Sequence, residues 1–224
     1  MSRGAKNENG GNVKFNAVTM RGFVQRVEEG TPNSVARKLE AGDNIGKVVH
    51  EVITNAIEGR VLKVEKVESQ EYGDSYSIHI DTSVNGDGEK YIITTKLNSN
   101  YTRNLIKQLV KIDTEKDVKF SHRYEEPKGD YKYGMINLGV LQVGEDGKNH
   151  FVGYAYTNAT PNGLPSVGEF IDGEGKKRKS YLDQNLFLEE ALGKIEFPSE
   201  PVADREDTVF ENVDSEEDED ELPF

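Results

Sequence analysis

Three observations predict a mainly β domain with one helix set among its strands and an acidic tail behind it. Tyr76, Ile78 and Ile80 alternate with Ser75, Ser77, His79 and Asp81, and Val118, Phe120, His122 and Tyr124 alternate with Lys119, Ser121 and Arg123. This is the period of half-buried strands. Between the two stretches the apolar spacing lengthens to four, through Leu97, Tyr101, Leu105 and Leu109, which is the stripe of a helix. Past residue 198 the apolar pattern stops and acid takes over.

Residues 1–12 are Gly- and Asn-rich without an apolar core and are expected to be disordered. Val13 to Val27 reads as a strand pair closed by the Gly30–Pro32 turn, and Ser34 to Glu40 as a short helix. Val48 to Val67 suggests one or two strands broken near Gly59. The alternating strand at residues 75–81, the Asn85-Gly86-Asp87-Gly88 turn and a return over Lys90 to Leu97 make a hairpin. A helix follows, capped by Asn98, Ser99 or Asn100, with Ile106, Val110 and Ile112 widening its stripe and Arg103, Lys107 and Lys111 on its wet side. Strands are expected at 118–124, Tyr131 to Val143 and Phe151 to Thr157, and a last helix from Asp183 to Ile195 after the basic run Lys176–Lys179. From Val61 to Val143 the order is three strands, a helix and two strands. That is the string of an OB-fold, a five-stranded Greek-key barrel with its helix between strands 3 and 4. The domain spans residues 13–198, with N- and C-terminal embellishments on the barrel.

Charge is partitioned along the chain. Of 224 residues, 41 are Asp or Glu and 28 are Lys or Arg, a net of −13, yet residues 199–224 alone carry −11 and residues 1–198 only −2. A nearly neutral body does not exclude a phosphate-bearing partner. Zero Cys removes disulfides, thiolate metal sites and cysteine nucleophiles, and reads as a reducing compartment. The start has no secretory pattern and no run approaches the roughly 20 apolar residues of a membrane span, so a cytoplasmic protein without a membrane partner is expected.

The tail is the most informative segment. Asp214-Ser215-Glu216-Glu217-Asp218-Glu219-Asp220-Glu221 repels itself and is expected to stay disordered, and it ends in Leu222-Pro223-Phe224. A terminal Phe fills an apolar pocket, its carboxylate meets a cation at the rim, Pro223 limits the entropy lost on docking, and Asp218, Glu219, Asp220 and Glu221 steer the peptide to a basic surface. This ending, with the element order of the body, resembles the single-stranded DNA-binding proteins of bacteria and phages. The absence of Trp and of a long Gly/Gln-rich linker makes the phage members the nearer likeness. The resemblance implies a tail that recruits replication, recombination and repair proteins (a polymerase, helicase, primase or nuclease) and competes with DNA for the protein's own groove. It also implies action in the host cytoplasm, at the nucleoid.

A groove for single strands sets aromatic rings beside cations. Tyr131-Lys132-Tyr133 has that interleaving, with tyrosines opposite in parity to Ile136, Leu138 and Val140. Lys119 and Arg123 share one strand face, Lys90 and Lys96 flank the returning hairpin strand, Tyr72 precedes it, and Lys176, Lys177, Arg178 and Lys179 form a basic run facing phosphate or the tail. As a coil of about 26 residues the tail reaches roughly 25 to 30 Å, enough to visit such a groove.

Catalytic patterns are weak. Gly42 to Val48 is one residue short of a phosphate loop and lacks its Ser or Thr, the four histidines are scattered, and His79 with Asp81 makes only two ligands. The expectation is a non-enzymatic, cofactor-free single-stranded DNA-binding protein, with room for homo-oligomers. The alternatives are an acidic-tailed adaptor or chaperone that never touches DNA, and a nuclease with an unrecognised site.

Overall fold

The computed structural model describes residues 13–40, 44–69, 73–82, 89–129, 133–157 and 159–198. The expected N-terminal coil and acidic tail, the Asn85–Gly88 turn, and Tyr72, Tyr131 and Lys132 lie outside these residues. In chain order the elements are β1 (Val13–Thr19), β2 (Gly22–Val27), β3 (Val35–Lys38), β4 (Val48–Thr54), β5 (Ala56–Val67), β6 (Ser75–Asp81), β7 (Lys90–Lys96), α1 (Asn100–Leu109), β8 (Val118–Glu125), β9 (Met135–Val143), β10 (Asn149–Phe151), β11 (Gly168–Ile171), β12 (Lys177–Ser180) and α2 (Leu182–Leu192). The fold is mainly β, as predicted. Ten strands form one mixed sheet in the order β10-β9-β8-β5-β6-β7-β1-β2-β4-β3, and β11 and β12 pair separately. Among the described residues, β1 and β7 are the one parallel pair in it, the other pairs being antiparallel. Among the described residues no helix is long and apolar enough to cross a membrane.

One extended run organises this sheet. Only Asn55 separates β4 from β5, so the predicted break falls there and β5 passes Gly59 intact. At Gly59 the strand changes partner: Ala56–Gly59 pair with Val118–Ser121 of β8, and Arg60–Val67 pair with β6. Glycine is required for this close approach. A Cβ at Gly59 would overlap the Asp81 carbonyl oxygen and lie 2.8 Å from Ile80 Cγ2. At the Asn55 joint its carbonyl accepts the His122 N–H at 2.8 Å, tying β8 to the same point.

The core follows from strand parity. Val61, Ile80, Ile78, Ile93 and Phe23 point to one side, and Phe120, Val118, Val140 and Leu138 continue that side across β8 and β9. Each such side chain contributes about 1.5–3 kcal/mol by leaving water. α1 closes the core with Leu105, Ile106 and Leu109, and its stripe is as predicted. Ser99 is the N-cap, its hydroxyl accepting the Thr102 N–H at 3.2 Å. Gln108, fully buried, takes the Val140 N–H at 2.8 Å and donates to the Leu138 carbonyl at 3.2 Å, which locks α1 to β9.

Three local expectations are corrected. Within residues 34–40 the chain forms strand β3, Val35–Lys38, not a helix: Asn33 turns the chain with φ 64° and β4 offers Val48–Glu51 as a ladder, which outweighs the weak propensity of a seven-residue segment. Arg103 is not on the wet side of α1. It is 6% exposed, stacks 3.8 Å over the Tyr181 ring and donates to the Asn98 carbonyl, pinning the start of α2 to α1. The strand expected from Phe151 to Thr157 is not formed: β10 ends at Phe151, and residues 152–157 leave the sheet to run along α1, where the Ala155 N–H donates to the Lys107 carbonyl.

Glu51 is 1% exposed, with Arg21 at 2.6 Å and Arg37 at 3.1 Å, and so holds the β1–β2 turn, β3 and β4 together. Burial pushes its carboxyl pKa up, but hydrogen bonds from Arg37 and Arg21 outweigh burial and leave it below the usual value. A lowered folded-state pKa means the stabilisation is complete above the ordinary carboxylate range and is lost as pH falls through the lowered value. Acid melts monitored by circular dichroism should therefore show a smaller loss of Tm between neutral and acid pH in Glu51→Gln than in the parent. At neutral pH the variant should be less stable by about 1.5–3 kcal/mol. Gly59→Ala should cost about 1–3 kcal/mol in denaturant unfolding, because the Asp81 backbone has to move aside.

Candidate nucleic-acid interface

The face of β8–β9–β10 turned away from the core is set by register. Lys119 stands opposite Leu141, Ser121 opposite Gly139, Arg123 opposite Asn137 and Glu125 opposite Met135, while Phe151 of β10 stands opposite Leu141. The alternate residues Val118, Phe120, Leu138 and Val140 are buried in the core, so the two sides of these strands are chemically distinct.

Gly139 makes that face flat. A Cβ there would crowd Ser121 Oγ at 2.7 Å and would touch the Phe151 ring at a contact distance of 3.4 Å, so the ring lies directly over the glycine. Tyr154 meets Phe151 edge to face, with ring centroids 6.0 Å apart and planes at 84°. Phe151 is 55% exposed, Met135 54% and Tyr154 38%, although exposed large apolar groups usually sit singly. The segment carrying these rings is anchored on α1: the Ala155 N–H donates to the Lys107 carbonyl at 2.8 Å, and the Lys111 ammonium lies beside Gly153.

Cations rim the aromatic surface. Lys119 Nζ is 3.7 Å from Glu58, and Arg123, 75% exposed, is 3.7 Å from Glu125. Exposed pairs at such distances contribute about 0–1 kcal/mol, so either cation can exchange its carboxylate for another oxyanion at little cost. Behind the face, burial holds the His122 imidazole below its usual pKa, against a hydrogen bond with the Thr19 backbone, and its ring packs edge-on against Phe23.

The remaining sequence candidates are distributed differently. Lys90 and Lys96 point to the outer side of β7, opposite Asp81 and Ser75, roughly 20 Å apart along the strand and not on the β8–β9–β10 face. Between them on the neighbouring strands lies a neutralised cluster, in which Glu65 pairs with Lys63 and with His79 at 2.8 Å. Burial would raise the Glu65 pKa, but these partners bring it below the ordinary carboxylate range. His79 and Asp81 share this face, but among the described residues no three His, Asp or Glu gather as a metal-holding group. Tyr133 precedes β9 rather than lying in it. In the β11–β12 hairpin Lys176 pairs with Glu174 at 2.8 Å, Lys177 with Glu169 at 3.3 Å and Arg178 with Asp172 at 2.7 Å, while Lys179 is exposed opposite Glu169. The tail residues 218–224 lie outside the described residues.

The structure thus unites Lys119 and Arg123 with two residues that sequence reasoning missed, Phe151 and Tyr154, while Met135 lies on the same face at its far end, roughly 20 Å along β9 from Leu141. A signal for Phe151 existed. The turn over residues 144–149 returns the chain beside Val143, and antiparallel register then puts Phe151 across from Leu141, on the Lys119 side. Geometrically the face offers two rings, a thioether and exchangeable cations on a rigid sheet, which suits planar, anionic ligands. Comparison with protein-family models, with curated proteins and with solved structures finds no match to this chain.

Proposed function

We propose that this chain is a non-enzymatic single-stranded DNA-binding protein, which coats exposed strands with little sequence preference in replication, recombination and repair. The observation that carries the reading is the Phe151–Tyr154 surface beside Lys119 and Arg123. Every base has a π-face to lay on a ring, and every phosphate accepts from a cation, so such a surface binds strands without reading their sequence. Lys119, Arg123, Phe151 and Tyr154 form its centre, and Met135 marks its far end. Lys90, Lys96 and the Lys176–Lys179 hairpin serve as outlying phosphate contacts for a longer strand.

The body is read as an OB-like barrel. Support comes from the order β5-β6-β7-α1-β8-β9 and from the division of β5 between β6 and β8. In this reading β5, β6, β7, β8 and β9 are the five barrel strands. The hairpin β1–β2 is an N-terminal embellishment, β1 running parallel to β7 and β2 pairing with β4 in a sheet whose edges are β10 and β3.

The acidic tail regulates the surface. Its carboxylates take the cation sites that phosphates would fill, most strongly at low salt, and DNA that displaces it frees Leu222-Pro223-Phe224 for replication and recombination proteins. The protein acts in the cytoplasm, at the nucleoid.

Fluorescence anisotropy of labelled oligo-dT tests the reading with the full chain and with one stopped after Val213, across a salt series. Salt-sensitive binding that tightens on tail removal is expected; absence of binding by both chains would refute it. Phe151→Ala should weaken binding by the value of one stacked base, about 1–3 kcal/mol, and Arg123→Ala should reduce the salt slope by about 0.7. Phe224→Ala should abolish capture of replication proteins in pull-downs while leaving DNA affinity nearly unchanged, and equal capture by both forms would contradict the docking role.

A further inference from the structure

α1 and α2 pack side by side, and a cleft opens between their C-terminal ends. Arg103 stacks on Tyr181 at one end of the pair; at the other, Val110, Tyr156, Phe187, Ala191 and Ile195 line a space of about 180 Å³. An apolar cavity of roughly 150 Å³ holds a benzene ring, so one phenyl group fits. Tyr156 and Phe187 form an aromatic wall, with ring centroids 5.1 Å apart and planes at 81°. Glu190 and Lys194 border the cleft as a pair at 2.8 Å.

Positive charge beside the cleft is uncompensated. Arg103, Lys107 and Val110 recur at i, i+4 and i+7, on the face of α1 turned to α2. Burial and the neighbouring Arg103 guanidinium hold the half-buried Lys107 ammonium below its usual pKa, and no carboxylate opposes them. Among the described residues neither Lys107 nor Lys111 is in an ion pair. The acids of the neighbouring elements are already matched or solvated: Glu189 pairs with Lys66 at 3.7 Å, Asp113 with Lys116 at 3.1 Å, and Glu115 and Glu196 are exposed. The site thus offers one ring pocket and two cations to an acidic chain that carries an aromatic residue.

This protein has such a segment within reach. Residues 199–224 lie outside the described residues and begin four residues past Ile195, which itself lines the cleft. Within them Val209, Phe210 and Val213 interrupt the acid, flanked by Glu206, Asp207, Glu211 and Asp214. Phe210 is 15 residues past Ile195. A coil of that length spans roughly 20 Å and keeps its end at an effective concentration on the order of 1 mM. We propose that the α1–α2 cleft is the docking site of this segment, Phe210 filling the space between Val110 and Ala191 while its flanking carboxylates meet Lys107 and Lys111. The docking itself needs no DNA. Its regulatory consequence rests on the DNA reading: the acid run from Asp214 then starts at the cleft, and Lys111 leads from there to Gly153, between Phe151 and Tyr154.

Paramagnetic relaxation in the full chain, without DNA, tests the docking. The sequence has no Cys, so Asn212→Cys carries a single nitroxide. Selective broadening of the Val110, Lys111, Tyr156 and Ala191 amides is expected. Phe210→Ala, a change outside the described domain, should weaken docking at least about tenfold, the effect of one buried Phe side chain, and the broadening should fall with it. Ala191→Leu, which fills the cleft from α2 without altering charge, and Lys107→Gln with Lys111→Gln should each act the same way with an unchanged circular dichroism melt. Should either of these lower the melt, Phe210→Ala decides. Absence of broadening at the cleft, broadening centred on the β8–β9–β10 face, or broadening that survives Phe210→Ala would overturn the proposal. Oligo-dT binding by the same chain is read separately, so failure of the docking and failure of the DNA reading are distinguishable.

Discussion

The close approach of β5 to β6 at Gly59 is the constraint on which the rest of the fold depends. Because no side chain stands there, the end of β6 can seat against β5 while the preceding four residues keep β8. The chain from Val48 to Val67 thereby pairs in turn with β2, β8 and β6, and each pairing fixes a separate part of the molecule. β6 carries the hairpin that leads into α1. β8 carries β9 and β10, and with them the flat face around Gly139. The Asn55 carbonyl, bonded to the His122 N–H, keeps β8 from sliding along the run. A one-residue slip would turn Lys119 and Arg123 inward and Phe120 outward, so the register of this junction determines which chemistry reaches the surface.

Electrostatics separates surface from tail. Through the body, cations are matched locally: Lys119 with Glu58, Lys63 with Glu65, Lys177 with Glu169. Neutral pairing of that kind leaves no broad positive field, consistent with a net of −2 for residues 1–198. A surface of this type attracts a polyanion by short-range exchange of pair partners, assisted by stacking, rather than by long-range steering. In the proposed function a tethered chain of carboxylates competes for the same cations, displacing single acids such as Glu58 and Glu125. In the proposed function the −11 segment is therefore a component of the binding equilibrium.

Much of the scaffold was legible in the sequence because period-two and period-four patterns record burial directly. The β6–β7 hairpin, the α1 stripe with its Ser99 cap, and the alternation of β8 lie where local spacing puts them. What escaped was set by non-local pairing. β3 has no apolar stripe of its own and exists because β4 offers it a ladder. Arg103 looked solvent-facing by helical position, yet Tyr181, 78 residues away, covers it. The candidate surface was half legible for the same reason: Lys119 and Arg123 belong to a regular strand, whereas Phe151 and Tyr154 reach them through the return of β10 along β9. A basic run, conspicuous in sequence, proved to be matched by Glu174, Glu169 and Asp172 within its own hairpin.

The central claim is that single strands lie on the outward face of β8–β9–β10. Photocrosslinking of an iodouridine-substituted oligonucleotide to the full chain, with the adducts mapped by mass spectrometry, interrogates that face directly. The account predicts adducts at Phe151 and Tyr154. Adducts confined to residues off that face, on the outer side of β6–β7 or on the β11–β12 hairpin, would contradict it.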